Sequence, residues 1–291
     1  MTQIIASLAE ISGRYDALFC DLWGCLHNGV APFPQAVAAL QQYRATGKQV
    51  VLVTNAPRPS SAVIEQLARI GVPEDAWDLV VSSGDASRAA MIRGAVGQKV
   101  YHLGPDKDAS FFTDTSDGLD ASGIERVELD DAEGVVCTGL FDDRCETPED
   151  YRPTLLFAKT RGLKLLCTNP DIVVDMGDTR VYCAGAIAQL YEEMGGEAIY
   201  CGKPHPPIYD LARARLVTSG YAPSNDILCL GDGLLTDVKG GIGEGLDTLF
   251  ITGGIAASEF GPDPEQPDPA MLDAWLARHE LSPTYAIPAL R

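Results

Sequence analysis

The stretch Ala17-Leu18-Phe19-Cys20-Asp21-Leu22-Trp23-Gly24-Cys25-Leu26-His27-Asn28-Gly29 decides how the chain is read. Four apolar residues lead to a carboxylate, and a glycine-containing turn follows. A continuous apolar run is the pattern of a strand buried on both faces of a parallel sheet. Open α/β sheets carry their sites at the carboxyl ends of such strands. Asp21 is therefore expected at a sheet rim as a reactive side chain. Taken alone, an aspartate there is more often a helix cap or turn former.

Three further segments share the pattern. Val50-Val51-Leu52-Val53-Thr54-Asn55 ends in a hydroxyl and an amide. Ile199-Tyr200-Cys201-Gly202-Lys203-Pro204 ends in a lysine, with proline set to start a helix. Ile227-Leu228-Cys229-Leu230-Gly231-Asp232-Gly233-Leu234-Leu235-Thr236-Asp237 places two carboxylates in a glycine-punctuated loop after a strand. Each has a bland reading by itself: a surface lysine, a turn, a cap for a helix over Ser60 to Ile70. Polar groups at four strand ends in succession point to a single site.

In this order the four segments resemble the motifs of the haloacid dehalogenase-like (HAD) hydrolase superfamily. Thr168-Asn169-Pro170-Asp171 resembles a signature of the cap in its class IIA phosphatases, which include sugar-phosphate and nucleotide phosphatases. The resemblance implies a doubly wound parallel-sheet (Rossmann-like) α/β core with an inserted α/β class IIA cap domain. It implies a discontinuous core over residues 1–97 and 198–291, with the cap over 98–197. It further implies a Mg²⁺-dependent hydrolase of small phosphorylated metabolites, sugar phosphates among them, acting through an aspartyl-phosphate.

The same resemblance assigns roles. Asp21 is the expected nucleophile, and Lys203 offsets the charge crowded onto it and the phosphate. Asp21, Asp232, Asp237 and the backbone carbonyl of Trp23 are the expected metal ligands, Asp237 serving either as a ligand or as an orienter. Thr54 and the Asn55 backbone are expected to hold phosphate oxygens. Asn169 and Asp171 begin a cap loop, running to Arg180, that is expected to choose the substrate; Arg180 reads either as an anion partner or as a surface arginine. The chemistry suits these residue types. A carboxylate nucleophile splits hydrolysis into two steps, Mg²⁺ prefers hard oxygen ligands, and preorganised donors stabilise the charge that develops on phosphate oxygens.

Trp23 departs from the pattern. In the phosphatases this chain resembles, the residue two after the nucleophile is a second aspartate that protonates the leaving group and then activates water. An indole exchanges no proton at useful pH. Losing general acid catalysis costs a factor on the order of 10² to 10⁴, least for good leaving groups. His27 is either a stand-in or a structural histidine beneath the loop. An aromatic here is also similar to the haloacid dehalogenases themselves, where an aspartate attacks carbon without metal. Two alternatives to a phosphatase therefore stand: a metal-independent dehalogenase-type hydrolase, and a phosphate-ligand-binding protein with little turnover. Asp232 and Asp237 around Gly233 favour a cation and hence the phosphatase.

Composition narrows the setting. A chain of 291 residues, 46% hydrophobic, has ample core for one large or two modest domains. Its net charge of -19 disfavours nucleic acid and anionic membranes as partners; the partner that the resemblance implies is a small phosphorylated molecule. Met1 to Glu10 lacks the basic start and long apolar stretch of a secretory signal, and no segment reaches the ~18 apolar residues of a spanning helix. The eight cysteines show no metal-type spacing, and several lie inside apolar runs, so reduced thiols in a cytoplasmic protein are expected. A homodimer is compatible with the sequence but not required by it. Alternating patterns predict helices over Phe33 to Thr46, Asp85 to Ile92 and Ala270 to His279. Strands are predicted at Leu79 to Ser83 and Thr248 to Thr252, with cap strands at Lys99 to Leu103, Gly134 to Leu140 and Leu163 to Thr168.

Overall fold

Seven parallel strands form the larger sheet of the computed structural model, which describes residues 2–177, 179–221 and 226–291. Their order is Gln3–Ile4, Tyr285–Ile287, Asp247–Ile251, Ile227–Gly231, Ala17–Cys20, Gln49–Thr54 and Leu79–Ser82. Side chains alternate between faces with a period of two, so each strand feeds two cores. Leu18, Cys20, Val50, Leu52, Leu228 and Leu230 join one buried cluster, with Ala39 and Leu40 of helix Pro34–Arg44 and Val63 and Leu67 of helix Ser60–Ile70. Ala17, Phe19, Val51, Val53, Ile227 and Cys229 join the other, with Ile208 and Ala212 of helix Pro206–Thr218. Burial on both faces explains why these strands read as unbroken apolar runs.

A second sheet of five parallel strands has the order Glu197–Tyr200, Lys164–Cys167, Gly134–Cys137, Lys99–Leu103, Glu125–Arg126. Helix Ser83–Ile92 lies between the two sheets. Its Ala86 and Met91 share one buried cluster with Val51 and Val53 of the first sheet and Val100, Val136 and Leu166 of the second. The cap is thus packed onto the core through a common apolar interior. The same helix carries Arg88, which is 0% exposed. Its guanidinium pairs with Asp117 at 3.2 Å and donates to the carbonyls of Phe111 and Asp114, pinning the segment that leaves strand Lys99–Leu103. The far face of the second sheet is covered by helices Arg152–Thr160 and Ala184–Glu193, through Leu155, Ala158, Ala184 and Ile187.

Two segments differ from the sequence expectation. Ile199, read as the resumption of the core, lies in strand Glu197–Tyr200, where it pairs with Leu166 at the edge of the second sheet. The chain therefore returns to the larger sheet after Tyr200 rather than at residue 198. A parallel strand with apolar faces looks alike in either sheet, and only the partner strand distinguishes them. The stretch read as a loop between Asn169 and Arg180 contains an antiparallel hairpin, Val173–Met176 with Thr179–Tyr182; Asp178 within it lies outside the described residues. Arg180 pairs with Asp175 across this hairpin at 2.7 Å with its side chain about half exposed, which fits the surface reading.

Helices Pro34–Arg44 and Pro269–Arg278 fall within two residues of expectation. All eight cysteines are free, seven of them buried. Among the described residues no helix is long and apolar enough to cross a membrane.

Candidate active site

Parallel register brings neighbouring strands to an end at the same edge: Leu230 is level with Cys20, and Cys20 with Leu52. The residues just beyond these strands, Asp232, Asp21 and Asn55, therefore share one rim. Lys203 enters from the loop between Tyr200 and helix Pro206–Thr218. Asp237 sits in a single helical turn, Leu234–Val238, that begins after Gly233.

Lys203 is only 3% exposed, and its ammonium is 2.6 Å from Asp21 Oδ1 and 2.7 Å from Asp237 Oδ1. The other Asp237 oxygen accepts the Gly233 amide at 3.1 Å. Both oxygens of Asp237 are thus engaged in holding the lysine and the loop. Asn55 uses its whole side chain as a clamp: its amide oxygen accepts Lys203 N at 2.8 Å, and its nitrogen donates to Lys203 O at 3.1 Å and Asp171 Oδ1 at 2.8 Å. Thr54 is buried, and its hydroxyl oxygen accepts the Ala56 amide at 3.2 Å. Asn169 Oδ1 accepts the Asp171 amide at 3.1 Å, shaping the turn that presents Asp171.

Asp232 lies in a slot walled by glycine. Its Oδ2 accepts the Ile255 amide at 2.9 Å. A Cβ on Gly24 would come within 2.0 Å of that oxygen, and one on Gly254 within 2.2 Å. Gly24 also has φ +71°, a conformation L side chains adopt only at a cost. Ligand atoms of Asp21, Asp232 and Cys25 all lie within 4.8 Å of one another.

Electrostatics follow from four carboxylates around one buried cation. Burial, then the charges of Asp21 and Asp237, holds the Asp232 carboxyl well above the usual range. Burial and the Asp21 charge push Asp237 up to about 7, with Lys203 offsetting part of the shift. Asp171 rises to about 6, chiefly through burial, with Lys203 and Asn55 offsetting part. Burial opposes the charge on Lys203, yet Asp21, Asp237 and Asp171 outweigh it and raise its pKa well above the ordinary value. Burial also raises the Cys25 thiol well above its normal range, so it stays protonated. What remains is a pair of hard oxygen donors, Asp21 and Asp232, whose mutual repulsion as carboxylates a cation between them would relieve. That donor set fits a small divalent cation such as Mg²⁺.

Trp23 covers the loop above the nucleophile. A Cβ on Gly29 would meet its ring at 2.3 Å, and its ring stands edge-on to His27 with centroids 5.2 Å apart. His27 is 1% exposed, its Nδ1 accepts the Gly29 amide at 3.0 Å, and burial lowers its pKa to about 4. Its burial and its bond within the loop fit the structural reading. Between the sheets runs a cavity of ≈ 830 Å³, reached by Asp21, Trp23, Asp171 and Asp232 and walled by Ile172, Val173, Leu235 and Ile255. A recess of ≈ 180 Å³, reached by Thr54, Arg58, Asn169 and Tyr182, opens past Trp23 and Asp171. The sequence reading missed the slot around Asp232 and the Ile255 amide. The signal was available in Gly253-Gly254, a glycine pair just past a strand.

Residues 18–116 match the family model described as haloacid dehalogenase-like hydrolase, and residues 200–274 match one described as HAD-hydrolase-like. A crystal structure of a hydrolase of the haloacid dehalogenase-like family from Brucella suis 1330 superposes with TM-score 0.85 at 42% identity, covering 99% of this chain and 100% of its own. The 5'-nucleotidase YutF of Bacillus subtilis (strain 168) is 26% identical over 271 residues, 90% of this chain and 98% of that one. A glycerol phosphate phosphatase from Mycobacterium tuberculosis, solved in complex with magnesium, shares the fold at TM-score 0.68 and 23% identity, covering 97% of this chain and 77% of that one.

Proposed function

The chain belongs to the haloacid dehalogenase-like hydrolase family, and from that premise we propose a Mg²⁺-dependent phosphatase of small phosphorylated metabolites that works through an aspartyl-phosphate at Asp21. The observation that carries this reading is Lys203, buried and bonded to Asp21 and Asp237, beside a second carboxylate slot at Asp232. Sugar phosphates and nucleotides are the substrate classes we favour, in line with the nucleotidase named above and with acid sugar phosphatases 26% identical to this chain.

Asp21 attacks phosphorus, and the leaving-group oxygen departs toward the cavity between the sheets. Water then attacks phosphorus and restores the Asp21 carboxylate. Lys203 neutralises charge on Asp21 and on the incoming phosphate, and its position is fixed by Asp237 and the Asn55 clamp. A divalent cation held by Asp21, Asp232 and the Trp23 carbonyl would supply the remaining charge neutralisation and hold nucleophile and phosphate together. Ile172, Leu235 and Ile255 add apolar surface to the cavity into which the substrate would enter.

The test is turnover of an activated aryl phosphate with and without Mg²⁺, beside Asp21→Asn. Expected is metal-dependent release of phenolate that the substitution abolishes. Metal-independent turnover, or turnover that survives the substitution, removes this mechanism. Halide release from haloacids without metal would support dehalogenation instead, and phosphate-ligand binding without turnover would support the binding-only reading.

A further inference from the structure

Expelling an alkoxide from phosphorus at neutral pH requires a proton on the departing oxygen. The rim offers few donors. Asp21 is the nucleophile, and Asp237 has both oxygens engaged. Asp232 is turned into its glycine slot, His27 has its Nδ1 occupied, and Trp23 exchanges no proton.

We propose that Asp171, delivered by the loop of the smaller sheet, donates the proton to the leaving-group oxygen and later takes one from the attacking water. The proposal rests on the phosphatase reading above. Asp171 reaches both the large cavity and the recess, as do Asp21 and Trp23. Its Oδ1 is held by Asn55, and Asn55 in turn is held by both backbone groups of Lys203, so its aim is tied to the residue that pairs with the nucleophile. Its Oδ2 makes no hydrogen bond among the described residues. The loop is rigidly backed. A Cβ on Gly185 would meet the Pro170 and Asp171 carbonyl oxygens at 2.3 and 2.5 Å, and one on Gly202 would meet Pro170 Cδ at 2.7 Å and Asn55 Oδ1 at 2.6 Å. A carboxyl elevated by burial to about 6, facing Lys203 and Asp21, carries a useful share of both protonation states near neutrality.

The steps balance. As an Asp21 oxygen bonds to phosphorus, the bond from phosphorus to the leaving oxygen breaks, and the Asp171 proton passes to that oxygen to give the free alcohol. Asp171, now a carboxylate, removes a proton from water as the water oxygen bonds to phosphorus. The bond between phosphorus and Asp21 breaks, phosphate leaves, and both carboxyl groups return to their starting states.

The experiment compares kcat/KM across phosphate monoesters of graded leaving-group acidity, with Mg²⁺, for the native chain and Asp171→Asn. The substitution keeps an oxygen for Asn55 and removes only the exchangeable proton. kcat/KM reports the first step alone, so slower hydrolysis of the aspartyl-phosphate does not mask the result. Expected is a loss of about 100-fold on an alkyl phosphate and little loss on a dinitrophenyl phosphate. An equal loss across the series overturns the proposal and leaves Asp171 a structural part of the clamp. If the variant does not fold, the native series decides: a shallow dependence on leaving-group acidity supports a donor in this site, and a steep one overturns it. Absence of any turnover that Asp21→Asn abolishes removes the phosphatase reading itself, and this proposal with it.

Discussion

Asn55 donates from Nδ2 to Asp171 Oδ1 across 2.8 Å, and this bond ties the end of a core strand to a loop of the smaller sheet at the chemistry itself. The same side chain satisfies the amide and the carbonyl of Lys203. The lysine, the loop and the nucleophile are thus held in register by one amide.

Asn55→Ala tests that clamp. It leaves the buried Lys203 amide without its partner, a loss of about 1–3 kcal/mol in stability. Displacing a catalytic group by about 1 Å costs on the order of 10² in rate, so kcat is expected to fall far more than stability alone explains. Urea unfolding and steady-state kinetics on an activated phosphate check the two separately. An unaltered kcat would show that Lys203 keeps its place without Asn55.

Gly24→Ala is aimed at the cation slot. The added methyl would sit 2.0 Å from Asp232 Oδ2 at φ +71°, so either the carboxylate or the loop has to move. Strain of this kind costs on the order of 1–3 kcal/mol. The expected outcome is an affinity for Mg²⁺ lower by roughly 10-fold or more, that same strain expressed as a binding ratio, measured by titration calorimetry on a variant that still melts cooperatively. Unaltered affinity would remove Asp232 from the proposed ligand set.

The rim was legible in the sequence because each component is local: an apolar run, then one polar residue, then a turn. Asp21, Asn55 and Asp232 could be placed at strand ends without knowing which strands are neighbours. What could not be read was pairing. Ile199 lies in a strand whose partner, Lys164–Cys167, pairs with it from 33 residues earlier, and nothing local assigns it to one sheet or the other. The hairpin of Val173–Met176 and Thr179–Tyr182 was hidden because Val181 alone of its strand residues is buried, so its short strands lack a clean alternation. The bond between Asn55 and Asp171 spans 116 residues and belongs to tertiary structure alone.

His27 offers a prediction in pH. Burial lowers its pKa to about 4 from 6.5, so the folded state prefers the neutral ring. Between those values the unfolded chain binds the extra proton, and stability falls as pH falls through this window. The effect is about 1–3 kcal/mol by pH 4. Urea unfolding from pH 7 to pH 4 should show a shallower decline for His27→Gln than for the native chain. Parallel declines would mean that His27 is already solvated in the folded state.

Arg88 should matter to the union of the two sheets. It is fully buried and pairs with Asp117 while satisfying the Phe111 and Asp114 carbonyls. Removing one partner of a buried ion pair costs about 3–5 kcal/mol, because the other charge stays behind unpaired. Arg88→Met is expected to lower stability by that order and to expose the segment 106–120 to limited proteolysis before the rest of the chain. Proteolysis at the native rate in that segment would show that it is pinned by its other contacts.

Trp23→Asp places a carboxyl two residues after the nucleophile. The indole lies against Gly29 and the edge of His27, so its loss leaves a void and lowers stability by about 2–4 kcal/mol, within the range for truncating large side chains. The new carboxyl can protonate a leaving group. With Asp171 already serving as donor, the gain in kcat/KM on alkyl phosphates should be modest in the native background. In an Asp171→Asn background the same substitution should recover much of the lost activity on alkyl phosphates and little on dinitrophenyl phosphate. Two donors that act on one oxygen are strongly non-additive, whereas two independent structural effects simply add. A double-mutant cycle on kcat/KM reads this directly. Additive losses in that cycle would mean that Asp171 and a carboxyl at position 23 never serve the same proton.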